Sequence, residues 1–274
     1  MKTKILDRRI LTYIGLVGFL GAFLYVAVIN SGGINDAELL VFALMWIPAV
    51  AAIITKLAYD KNLKGLGLRP RSPKCLALSY FLPVLACIPV YFIVWAFRLG
   101  QYKPMSIPSI ISLSTVGVII SCISAMGEEI GWRGFLLNEL IKKFSYLKTS
   151  LIMAAIWYLY HLPLIVFSDY NNGNKIYSMC FFFITITGYT FIVNYLVLKS
   201  KSVWPGIIIH ASHNLFVQAI FDQMTVDTGF TKYFTTEFGC GLTITYWVIA
   251  LILIFYEKKH PIKNIESASS ITTV

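Results

Sequence analysis

Apolar runs of roughly 20 residues recur along almost the whole chain, each long enough to cross a ~30 Å hydrocarbon layer as a helix. Such a chain must satisfy its backbone within each segment, which leaves a packed bundle of helices as the solution. The runs fall at about 10–30, 38–56, 75–97, 107–127, 149–168, 176–198, 203–222 and 240–256. With 57% hydrophobic and 13% charged side chains among 274 residues, no soluble domain is left over. The expected fold is all-α: a polytopic membrane helical bundle of about eight transmembrane helices, forming one integral-membrane domain over residues 1–274.

Charge sets the orientation. Arg98, Lys103, Lys175 and Lys232 lie on one face, and the other 19 of the 23 basic residues fall in the first tail, the 56–74 loop, the segment after the fourth run, the 199–201 turn and the last tail. By the positive-inside rule the richer face is cytoplasmic, and an even number of crossings puts both termini there. The expected location is a bacterial cell membrane. The net charge of +10 is spread over every inner loop, where anionic lipid headgroups are the natural partners, so nucleic acid is not expected. The first run is too long for a signal peptide and ends in Phe23, Leu24 and Tyr25, which reads as an uncleaved span.

Cys75, Cys87, Cys122, Cys180 and Cys240 are scattered and odd in number, without CxxC spacing. Gly15, Gly18 and Gly21 share one side of the first span, a spacing that predicts close helix packing. Gly131 and Gly134 are read the same way. Residues 135–145, "FLLNELIKKFS", alternate at roughly helical period and predict an amphipathic helix lying at the cytoplasmic interface.

Ionisable groups at membrane depth are costly and mark functional sites. They are few: Glu128, Glu129 and Arg133 in "GEEIGWRG" at 127–134, His161 in the fifth run, and His210 with His213 in the seventh. The uncharged Asn214 belongs with them. Glu129 and Arg133 are four apart and share a face, so they can pair, whereas Glu128 points about 100° away and is left free. His210 and Asn214 also share a face. All can meet in the cytoplasmic half of the bundle. A buried carboxylate beside an imidazole can deprotonate water, and a second imidazole with an amide can stabilise a tetrahedral oxyanion, a set suited to amide hydrolysis. Taken singly, each has a plainer use in helix register or packing. Their co-occurrence favours a site.

The ordered set EExxxR, a His in the next span and HxxxN in "HASHN" resembles the CAAX protease and bacteriocin-processing (CPBP, or Abi) family of intramembrane proteases, including its type II CAAX prenyl endopeptidases. The resemblance covers about residues 107–222, a catalytic core. It implies that Glu128 and His161 activate water, that Glu129 and Arg133 support them, and that His210 and Asn214 form the oxyanion hole. Trp157 stands where the family pattern has Phe, four residues before the second-motif His. The substrate implied is a peptide or protein, with or without a lipid tail, in CAAX-type processing or in bacteriocin maturation or self-immunity.

No cofactor is required by this reading. Zinc is the alternative, with Glu128, His161, His210 and His213 as ligands. HExxH, GxSxG and GxGD are all absent. Two other functional classes stay open: a proton-coupled transporter relaying protons through the Glu and His residues, and a non-catalytic immunity or scaffold protein.

Overall fold

In hydrocarbon a backbone amide has little to bond but the carbonyl one turn back, and each apolar run accordingly folds as a helix. The computed structural model describes residues 2–262. Lys263, expected in the cytoplasmic tail, lies outside the described residues, as do the side chains of Lys2 and Lys4. The helices are α1 (Lys2–Asn30), α2 (Glu38–Asp60), α3 (Pro73–Ala96), α4 (Ile107–Leu140), α5 (Tyr146–Phe167), α6 (Lys175–Ser200), α7 (204–221) and α8 (Cys240–Lys259). Ser72, Ser106, Ser145 and Asn174 start α3 to α6 by accepting a hydrogen bond from the N–H three residues on. The eight helices match the eight apolar runs, and the chain is an integral membrane protein.

Seven of the eight are long and apolar enough to cross a membrane; α7 is the exception. Its start is folded into the bundle against the 65–69 loop. Val203 N donates to Gly67 O at 2.9 Å, Ser202 Oγ to Arg69 O at 2.7 Å, and Trp204 Nε1 to Leu68 O at 2.7 Å. Contacts between connecting segments respect the alternation of the helices. The 65–69 loop meets residues 202–204, both at the basic end. At the other end Asp169 accepts from Ile34 N at 2.7 Å, and two short strands, β1 (Gly100–Tyr102) and β2 (Thr225–Asp227), pair antiparallel with Gly100 opposite Asp227.

Residues 135–145 do not form a separate interfacial helix. Phe135, Leu136, Leu137, Leu140 and Ile141 are buried, because α4 runs on to Leu140 inside the bundle. Glu139, on the face expected to meet water, is also buried. It pairs with Arg9 at 3.2 Å and Lys142 at 2.8 Å, while Arg9 reaches Asp60 at 2.9 Å. This ionic cluster ties α1, α2 and α4 together at the basic end.

At the centre stands α6, the most enclosed of the candidate spans. Its buried polar side chains hold neighbours: Thr185 Oγ1 lies 2.6 Å from Thr243 Oγ1 of α8, and Asn194 Nδ2 donates to Ser150 Oγ of α5 at 3.1 Å.

Close backbone approach occurs in α4, not in α1. A Cβ at Gly15 or Gly18 would meet nothing within 4 Å, and one at Gly21 would meet only tyrosine rings. At Gly127 it would lie 2.6 Å from Met45 O and at Gly131 2.5 Å from Pro48 O, both on α2, while at Gly134 it would lie 3.0 Å from Leu66 O. The Gly127-x-x-x-Gly131 spacing thus lets α4 lie directly on the α2 backbone. We expect Gly131→Leu to cost about 1–3 kcal/mol through overpacking and Gly18→Leu to change stability by less than about 0.5 kcal/mol. Thermal unfolding of the two purified variants in one detergent checks the contrast.

Candidate active site

The two carboxylates of "GEEIGWRG" are adjacent in sequence and gripped from opposite sides. Glu129 is fully buried, and its Oε1 accepts from Arg133 Nη1 at 2.9 Å and lies 3.0 Å from His210 Nδ1. The i, i+4 pair expected from spacing is present, and it reaches across to α7. Gly206 makes that reach possible, since a Cβ there would lie 2.7 Å from Glu129 Oε2. Arg133 Nε and Nη2 and Glu129 Oε2 find no hydrogen-bond partner among the described residues. The guanidinium instead stacks on the Trp157 ring, with Cζ 4.0 Å from the centroid.

Glu128 does point away from Glu129, but it is not free. Its Oε2 accepts from Trp157 Nε1 at 2.7 Å and from Trp132 Nε1 at 3.3 Å. Spacing alone missed both indoles, though a buried indole N–H calls for an acceptor. Trp157 also fixes the next motif residue: its backbone carbonyl lies 2.9 Å from His161 Nδ1, one helical turn on. A carbonyl only accepts, so Nδ1 carries the proton and the neutral ring offers the Nε2 lone pair. One residue therefore touches Glu128, His161 and Arg133, and its ring centroid lies 5.6 Å from that of His210.

The Glu128 and Glu129 pair lies deeper than its sequence suggested. Because α4 continues to Leu140, both residues sit about three turns inside its basic end. The glutamate pair lies where helical geometry passes from α to π: the π segment Ile130–Leu136 begins directly after Glu129, and Asn214 likewise opens the π segment Asn214–Phe221. Such π segments are frequent at functional sites.

His161, His210, His213 and Asn214 line one cavity, with about 50 Å³ of room for water centres. At roughly 10–15 Å³ per water this holds a few waters. The Asn214 carboxamide makes no side-chain hydrogen bond among the described residues and faces the cavity. His213 turns to α8, with Nδ1 2.7 Å from Tyr246 Oη. Glu128 is not among the lining residues, but Trp157, whose Nε1 donates to Glu128 Oε2 at 2.7 Å, is, so the carboxylate lies beside the cavity. A buried residue of the connection between α7 and α8, Glu237, does line it. Nothing in the local pattern of residues 228–239 announces this, because the loop folds back over the bundle.

No group of three or more His, Cys, Asp or Glu side chains among the described residues has metal-holding geometry. The alternative ligands Glu128, His161, His210 and His213 are spread over separate partners: indoles, a carbonyl, Glu129 and Tyr246. The residues present do not fit a zinc site in this arrangement.

Comparison with known proteins falls on the same part of the chain. Residues 110–216 match the family model described as type II CAAX prenyl endopeptidase Rce1-like. Over 142 residues the chain is 30% identical to CAAX prenyl protease 2 of Methanococcus maripaludis, a match covering 50% of this chain and 48% of that protein. The chain thus spans about half the length of the curated relative it matches. The segment that carries Glu128, Glu129, Arg133, His161, His210 and Asn214 is thus similar to type II CAAX prenyl endopeptidases of the Rce1-like kind.

Proposed function

We propose that the chain is an intramembrane endopeptidase that hydrolyses a peptide bond with a water activated by Glu128. The observation that carries this reading is the double hold of Trp157, whose indole N–H fixes the Glu128 carboxylate and whose carbonyl fixes the His161 ring. Glu128 takes the proton of a water that His161 Nε2 helps to hold, and the hydroxide adds to the scissile carbonyl. The developing oxyanion is met by the Asn214 carboxamide and by His210.

The role of His210 carries a protonation requirement. A ring whose Nδ1–H is given to the Glu129 carboxylate offers Nε2–H to the cavity only as imidazolium. Glu129, which lies between Arg133 and His210, is the group placed to support this charge. The supporting pair therefore acts on the oxyanion side of the reaction, by way of His210, rather than on the water.

The substrate class favoured by the family is a CAAX-type protein or peptide, reached from the bilayer. The apolar surroundings of the cavity suit a lipid-like tail on it. With the basic end of the bundle cytoplasmic, both termini lie toward that side, while Tyr170 and Glu237 line the cavity from the other end. No metal takes part in the reaction as proposed.

Glu128→Gln is nearly isosteric but cannot act as a base. It should lower cleavage by purified protein at least about 10²-fold while the protein stays folded, and wild-type activity should survive thorough chelation. Full activity in Glu128→Gln, or stoichiometric zinc whose removal abolishes turnover, contradicts the mechanism. Trp157→Phe keeps the ring under Arg133 and deletes the donor to Glu128. It should lower kcat about 10–100-fold with KM little changed, measured by steady-state cleavage.

A further inference from the structure

Glu237 is the one acidic side chain among the residues lining the cavity. It is 5% exposed, and its partners are neutral: Gln218 Nε2 donates to Oε1 at 3.0 Å, and the Tyr170 hydroxyl hydrogen-bonds it as well. None of the ion pairs among the described residues includes it. A carboxylate withdrawn from water with only neutral donors beside it is a costly arrangement, which an entering cation relieves. The other lining residues, His161, His210 and Asn214 among them, contribute no second carboxylate, so the cavity holds the proposed oxyanion-binding groups together with one acidic group.

The loop is built to hold the carboxylate there. Thr236, just before it, has φ +63°, a left-handed conformation that a β-branched residue rarely adopts. Its N–H donates to Tyr91 Oη at 3.4 Å. Phe238, just after it, packs on Tyr170 and Phe182 with centroids 5.0 and 5.5 Å away. Glu237 is clamped between two anchored neighbours and faces inward.

We propose that Glu237 forms a subsite for an alkylammonium group, namely the amino group released on the leaving peptide. The inference rests on the endopeptidase reading. In that reaction one amide and one water give two products: the carbonyl carbon gains the water oxygen, the C–N bond breaks with its electron pair on nitrogen, and both water protons end on that nitrogen. The products are a carboxylate and an ammonium, and no other reactant is needed. A cavity with room for a few waters accommodates the ammonium head and the carbon next to it.

The test is a binding measurement that needs no turnover. Thermal unfolding of the purified full chain is followed with a short leucine-rich peptide bearing a free α-amino group, and with the same peptide N-acetylated. The free amine should raise the midpoint by about 2–4 °C at saturating concentration, the acetylated form should not, and Glu237→Gln should erase the difference. Equal shifts from the two peptides overturn the subsite on wild-type protein alone, even if Glu237→Gln fails to fold. A difference that survives in folded Glu237→Gln also overturns it. Glu128→Gln should keep the amine-dependent shift while losing cleavage, so failure of the base and failure of the subsite read out separately.

Discussion

Two carboxylates and a guanidinium withdrawn from water near the middle of a long helix constrain everything packed around them. Taking such ions out of water costs several kcal/mol each unless partners replace the solvent. Here the partners come from three helices. Glu129 is shared between Arg133 of α4 and His210 of α7, and Arg133 lies on the Trp157 ring of α5. The close approach of α4 to α2 at Gly127 and Gly131, and of Glu129 to α7 at Gly206, brings these groups within reach. The bundle is assembled around the charges as much as around its apolar core.

In the proposed mechanism the same arrangement gives the two glutamates different work. Glu129 is tied to the Arg133 guanidinium on one side and the His210 ring on the other. Among the described residues Glu128 is held by neutral indole N–H groups, which orient a carboxylate without supplying a compensating positive charge. An orienting grip of this kind suits a group that must take up a proton, and a cationic grip suits one that must stay charged.

Much of this was legible in the chain. The apolar runs gave the eight helices, and helical spacing gave the Glu129–Arg133 pair and the divergence of Glu128. Helical period misled at residues 135–145, where burial of Glu139 by Arg9 and Lys142 depends on a residue some 130 positions away in α1. It misled again at Gly15 and Gly18, whose spacing fits a packing face that no helix covers in this structure. Trp157 was visible as an aromatic four residues before His161, but its bond to Glu128 joins two helices and has no signature in either. Glu237 could not be found from local pattern at all, because a loop residue becomes a cavity wall only through tertiary folding.

The division of labour between the glutamates is tested most directly by unfolding Glu129→Gln and Glu128→Gln side by side in one detergent. Glu129→Gln leaves Arg133 and His210 facing a neutral amide in a buried site, and it should lose about 3–5 kcal/mol of stability. Glu128→Gln, which gives up no cationic partner, should lose less than about 1 kcal/mol. Equal losses, or the larger loss at Glu128, would contradict the account.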